Sequence, residues 1–199
     1  QGYQDVVMVT LGTGVGGGII LDGKIWAGSN GAGGELGHMI VNPNETALCG
    51  CGGHGHLEQY ASATGIVRLA KKKLAATDKT TVLNAETVTA KDVWDAVKAG
   101  DEVAIEVAEQ FGKYLGSGLA IMAAVADPAI FVIGGGVSKA GDVLLSYVEK
   151  NYRERLIDYI KPNYEKNVFH GCKDVKFALA TLGNDAGIIG AAKLALDNQ

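Results

Sequence analysis

The chain has 199 residues, 47% of them apolar and 20% charged, with a formal net charge of −4. That balance belongs to a folded globular domain and excludes extended disorder; the acidic charge argues against a nucleic-acid or anionic-membrane surface as the main business of the chain. No apolar run approaches the roughly 18 residues of a membrane span, and three cysteines, an odd number, fit a reducing cytoplasm better than a disulfide framework.

The polar lead Gln1–Gln4 runs straight into an apolar stretch with no signal peptide or opening motif, so the chain is expected to begin inside a larger protein. Val6 to Leu11 is nearly continuous in apolar residues, as expected of a strand covered on both faces. Gly12 to Gly18 holds five glycines and reads as a glycine-rich turn. Ile19-Ile20-Leu21 is extended again, Asp22-Gly23 is a hairpin turn signal, and Lys24-Ile25-Trp26 returns as a strand. Residues 27–37 carry too many glycines for a regular element. Met39-Ile40-Val41 predicts a short strand, stopped by Asn42-Pro43, and residues 44–56 a loop. Helices follow over Leu57–Ala61, Thr64–Ala75 and from Thr89 to the stop at Gly100.

Asp101 caps the longest predicted helix, which runs to Ala126 with Val107, Phe111, Leu115, Leu119 and Met122 in one apolar stripe. Asp127-Pro128 ends it. Ala129–Ile133 is a buried strand, Val143–Ile160 a second long helix closed by Lys161-Pro162, and Val175–Ala180 the last strand. Asn184 caps a terminal helix through Leu196. Strands, a loop-rich middle and then alternating helices and strands make the class α/β, in one domain over residues 1–199.

Four constellations carry chemistry. The run Gly12-Thr13-Gly14-Val15-Gly16-Gly17-Gly18 lets backbone N–H groups approach a phosphate closely, with the Thr13 hydroxyl as a further donor; the plainer alternative is a tight hairpin with small residues for packing. No Lys follows as in a Walker loop, and no helix follows as in a dinucleotide fingerprint. Gly134-Gly135-Gly136 comes after a buried strand, where open α/β sheets bind ligands. One glycine would serve a simple turn there, so two clusters at two strand ends are better evidence than either alone.

Cys49 and Cys51, with His38 and His56, fit a tetrahedral Cys₂His₂ zinc site; His54 is a rival fourth ligand. The plainer alternative is a surface loop with reduced cysteines. His170 and Cys172 lie far along the chain and read as incidental. Glu35, His38 and Glu58 form a set suited to a polyol, since each carboxylate can accept from two hydroxyls. The plainer role of Glu58 is a first-turn acid favoured by the helix dipole.

Glu35-Leu36-Gly37-His38 followed by Cys49-Gly50-Cys51-Gly52-Gly53-His54-Gly55-His56-Leu57-Glu58 resembles the signature of the ROK family of sugar kinases and repressors: Glu-x-Gly-His, then Cys-x-Cys-Gly-x-x-Gly-Cys-x-Glu. Leu11–Gly18 and Ile133–Gly136 resemble its nucleotide-binding segments, and Gln59–Gly65 is similar to its glucokinase-type members. The resemblance spans the whole chain. It departs in two places: position 56 is His where the family usually has Cys, and the front of the chain carries neither the Asp-x-Gly-Gly-Thr loop nor the Asn-Asp pair holding the general base, the pair Asn184-Asp185 being read as the cap of the terminal helix.

The resemblance implies the C-terminal lobe of an actin-like, hexokinase-like (ribonuclease H-like) ATPase, a mixed sheet with helices on its faces, with the N-terminal lobe and the general-base Asp upstream of Gln1. It implies ATP-dependent phosphorylation of glucose at the 6-hydroxyl, with magnesium arriving on ATP and structural zinc in a loop over residues 38–58. Glu35, His38 and Glu58 would hold the sugar, and Gly12, Thr13, Gly14, Gly134 and Gly135 the nucleotide. One ring nitrogen of His38 would face zinc and the other a sugar hydroxyl. By itself this lobe is expected to be inactive, to be cytoplasmic and to dimerise. The alternatives within the family are the sugar-sensing lobe of a repressor and a kinase for N-acetylmannosamine, mannose or fructose; a zinc-stapled interaction module is a third.

Overall fold

The structure, a computed structural model, describes residues 2–160, 172 and 174–183. It forms one five-stranded mixed sheet in the order β3-β2-β1-β4-β5. β1 (Val6–Leu11), β2 (Val15–Leu21) and β3 (Lys24–Ile25) are an antiparallel meander, and β4 (Ile130–Gly134) and β5 (Lys176–Leu179) add in parallel on the other side of β1. The expected terminal helix from Asn184, the Lys161-Pro162 stop and His170 lie outside the described residues.

The expectation that β1 is covered on both faces is corrected. Val7, Val9 and Leu11 are fully buried, whereas Val6 and Met8 are half-buried and Thr10 is exposed. Two of its five apolar residues therefore face a less covered side, which periodicity in a six-residue run does not reveal. The glycine-rich stretch is also not one turn. Gly16, Gly17 and Gly18 belong to β2, opposite Thr10, Val9 and Met8. A Cβ at Gly17 would lie 2.5 Å from the Gly34 carbonyl, and one at Gly37 would collide with that of Val15. These glycines admit the 34–38 segment, with its single 3-10 turn at Leu36–His38, flat against β2. Met39–Val41 is not a strand: Ile40 makes one isolated bridge to His56.

The helices are α1 (Glu58–Ala61), α2 (Ala63–Leu74), α3 (Ala90–Lys98), α4 (Glu102–Ala126) and α5 (Asp142–Ile160). Their starts follow the capping chemistry of the sequence. Ser62 accepts from Gly65 N, Asp101 from Ala104 N, and Thr89 forms a reciprocal capping box with Asp92. The predicted stripe of α4 is the core: Val107, Phe111, Leu115, Leu119 and Met122 are all buried. α5 lies close against α4, because a Cβ at Gly116 would come within 2.6 Å of the Tyr152 amide. Phe131, Tyr152 and Phe177 fill the space between α5 and the sheet with ring centroids 5.2–5.6 Å apart.

Candidate functional site

β1 and β4 are parallel neighbours, so the segments leaving their C-terminal ends emerge together at one sheet edge. The first is the Gly12–Gly14 turn, closed by Gly12 N donating to Gly14 O at 3.0 Å. The second begins at Gly135, whose φ of +86° suits glycine; a Cβ there would lie 2.5 Å from the Leu11 carbonyl. A short 3-10 turn, Gly136–Ala140, follows. Gly134 stays within β4, opposite Thr10, and lines neither of the cavities at this edge.

Two cavities adjoin the Gly12–Gly14 turn. One, of about 540 Å³, lies between Gly12 and Thr13, the first turns of α3 and the Gly136–Ala140 turn; Thr89, Trp94, Lys98 and Val137 are among its walls. The other, of about 390 Å³, is lined by Thr10, Gly14, Val15, Gly16, Glu58 and Gly135, and Gly12 is shared by both. Sequence reasoning missed the α3 wall altogether. Its one available signal, the capped start at Thr89, was a statement about helix formation and carried no direction in space.

Glu58 opens α1 and meets both the turn and the cysteine loop. Its Oε2 accepts the Val15 N–H at 3.2 Å, and its Oε1 accepts from the Cys49 thiol at 3.3 Å. A Cβ at Gly14 would collide with Oε2, so the glycine lets the carboxylate rest on the turn. Glu35 is exposed and pairs with His38, Oε2 to Nδ1 at 3.2 Å. Hence the His38 Nδ1, expected to face either a metal or a sugar hydroxyl, meets Glu35 here.

His38, Cys49, Cys51 and His56 come together, with one donor atom from each all within 4.8 Å of one another. Cys51 Sγ lies 3.2 Å from His56 Nδ1, and the His38 and His56 rings meet edge to face at 5.4 Å. The loop is tightened by Cys49 N to Gly53 O at 2.7 Å and Gly52 N to Cys49 O at 2.9 Å. His54 pairs with Leu48 in an isolated bridge and stands exposed, outside the four-donor group. Burial pushes the Cys49 thiol above its ordinary pKa, and neighbouring Glu58 acts in the same direction.

The loop is anchored by a network that sequence reasoning also missed. Buried Glu45 accepts from Tyr60 Oη at 2.7 Å, from Arg68 at 2.9 Å and from the Ala47 N–H at 3.0 Å. The Ala47 amide, the Tyr60 hydroxyl and the Arg68 guanidinium hold its carboxyl down at about 2, while burial pushes Tyr60 up to about 12. Gln59 completes the clamp, donating to Ala47 O at 2.8 Å and accepting from His56 N at 3.0 Å.

This sequence matches the ROK family over residues 1–198. The chain belongs to the ROK family. Among its relatives, the ROK chain is 42% identical to the glucokinase of Halalkalibacterium halodurans, over 98% of this chain and 57% of that one. Its fold superposes with a TM-score of 0.82 on a ROK family glucokinase of Streptomyces griseus solved in complex with glucose and AMPPNP, at 36% identity, covering 98% of this chain and 61% of that one. With the ROK hexokinase of Thermus thermophilus the TM-score is 0.79 at 30% identity, covering all of this chain and 60% of that one. The ROK chain therefore spans less than two thirds of the length of these relatives. Its open mixed sheet flanked by helices is that of the hexokinase-like, actin-fold ROK kinases, as the sequence resemblance implied.

Proposed function

We propose that this chain is the sugar-, nucleotide- and zinc-binding lobe of a glucokinase, which transfers the γ-phosphoryl group of ATP to the 6-hydroxyl of glucose and so feeds glycolysis. The observation that carries this reading is the Gly12–Gly14 turn dividing two adjoining cavities, with Glu58 against it on one side. Phosphoryl transfer is a problem of positioning two substrates across a shared boundary and stabilising charge there. In this reading the larger cavity takes the nucleoside, Thr13 and Gly14 meet the phosphates, Gly135 lets β4 close under them, and Gly134 spaces the strand end. Glu58 accepts from sugar hydroxyls, and Glu35 and His38 complete the sugar contacts. Magnesium accompanies ATP. Since the chain spans less than two thirds of its relatives' length, the general-base Asp is assigned to the part that these 199 residues do not include, and the chain by itself would not turn over.

Two thiols and two imidazoles within 4.8 Å fit a zinc ion in both donor chemistry and compactness. Zinc bound by His38, Cys49, Cys51 and His56 would close its coordination with protein ligands and act as a structural staple. In this reading Glu35 holds, in the absence of sugar, the His38 Nδ1 that would meet a sugar hydroxyl, and the other ring nitrogen serves the metal. The cation would also offset the charge of a Cys49 thiolate beside the Glu58 carboxylate.

A repressor lobe has no use for a nucleoside cavity, so the 540 Å³ space favours the kinase over the sugar sensor. A cytoplasmic homodimer without nucleic-acid or membrane partners completes the proposal, and no helix among the described residues is long and apolar enough to cross a membrane. Titration of the chain with AMPPNP and with glucose, N-acetylmannosamine, mannose and fructose in parallel tests it. Glucose is expected to bind most tightly; tighter binding of another hexose reassigns the sugar, and absence of nucleotide binding removes the kinase.

A further inference from the structure

Residues 63 and 64 pin two consecutive peptide planes of the glycine turn. Ala63 N donates to Gly12 O at 2.8 Å, and Thr64 Oγ1 donates to Thr13 O at 2.8 Å, across 51 residues of sequence. A trans peptide is planar, with its N–H opposed to its C=O. Whatever holds the Thr13 carbonyl therefore also sets where the Gly14 N–H points. The first of these bonds is made by backbone, but the second hangs on one hydroxyl.

That hydroxyl has a competitor. Thr64 Oγ1 lies 2.9 Å from Ser62 Oγ, which in turn lies 2.7 Å from the Glu58 carbonyl and accepts from Gly65 N at 2.9 Å. Two hydroxyl hydrogens thus serve three oxygen–oxygen contacts. Both carbonyls are satisfied when Ser62 donates to Glu58 and Thr64 to Thr13. The α1–α2 junction thereby ties the peptide of the glycine turn to the helix that begins at Glu58.

We propose that Thr64 is a positioning residue for nucleotide binding: its hydroxyl fixes the Thr13–Gly14 peptide so that the Gly14 N–H is preset for a phosphate oxygen. This rests on the nucleotide reading of the turn given above. Thr64 is exposed in the first turn of α2, so it can be replaced without opening the core.

The test is calorimetric titration of ADP and, separately, of glucose into the wild-type chain and into Thr64→Val, Thr64→Ala and Thr64→Ser. Loss of the hydroxyl is expected to raise the ADP dissociation constant roughly five-fold in the Val and Ala variants. Glucose affinity stays within about two-fold, and Thr64→Ser restores ADP binding. If Thr64→Val does not fold, Thr64→Ala carries the same comparison. Unchanged ADP affinity in both, an equal loss in the Ser variant, or parallel losses for ADP and glucose would each overturn the proposal while leaving the functional reading intact. A wild-type chain that binds glucose but not ADP overturns the nucleotide reading and the proposal with it.

Discussion

Glu58 and Val15 are joined by a side-chain-to-backbone hydrogen bond of 3.2 Å across 43 residues of sequence. It fastens the first residue of α1 to the start of β2, so the carboxylate is held at the seam between the glycine turn and the cysteine loop. Glu58→Gln keeps an oxygen for the Val15 N–H but removes the charge and half of the acceptor capacity. Charge-assisted hydrogen bonds contribute about 1.5–3 kcal/mol, so the variant should weaken glucose binding by roughly ten-fold or more with little change in Tm. Unchanged affinity, measured by calorimetry, would reduce Glu58 to a helix-dipole and strand-fastening role.

The two glycines Gly14 and Gly18 should respond oppositely to the same substitution. A Cβ at Gly14 would collide with Glu58 Oε2, whereas one at Gly18 meets nothing within 4 Å. Gly14→Ala is expected to displace the carboxylate and lower both nucleotide and sugar affinity. Gly18→Ala, in β2, should leave both intact and stabilise the strand by roughly 0.5 kcal/mol. Ligand titrations and thermal melts of the pair make the comparison.

Zinc should be present at near one ion per chain in protein purified without added metal, by elemental analysis. Cys51→Ala and His56→Ala should lose it, and His54→Ala should keep it, because the His54 ring stands outside the four-donor group. Chelation should speed amide exchange over residues 38–58. Full metal retention in His56→Ala together with loss in His54→Ala would reassign the fourth ligand.

Glu45 gives a pH dependence whose sign follows from its depressed pKa. Its carboxyl titrates near 2 in the fold against 4.5 in an unfolded chain. The stabilisation from its ionised form is complete above about pH 4.5 and is lost as pH falls through about 2. A shift of that size corresponds to about 3 kcal/mol. Glu45→Gln should therefore lower the unfolding free energy at pH 6, and its gap from wild type should narrow steadily between pH 4.5 and 2. A gap that does not change with pH would show that packing, rather than charge, holds this loop.

The local elements and the chemical inventory are legible in the residues alone. Strand β1, the Asp101 cap and buried stripe of α4, the Asp127-Pro128 stop and the order of the later elements follow from periodicity and capping, which are short-range physics. The four zinc-type donors and the two glycine clusters were visible because their residue types are rare and their spacing is tight. Where these meet depends on how the chain packs. The parallel pairing of β1 with β4 brings Gly12–Gly14 beside Gly135, although more than a hundred residues separate them. The same folding turns the capped start of α3 into a cavity wall and excludes His54 from the donor group that His56 joins. It also divides the glycine run of 12–18 into a turn and a strand. Gly17 and Gly18 sit in β2 because β1 offers them backbone partners and the 34–38 segment needs room against Gly17. Hydrogen-bond partners and close approaches of this kind arise between residues distant in sequence, and no local pattern encodes them.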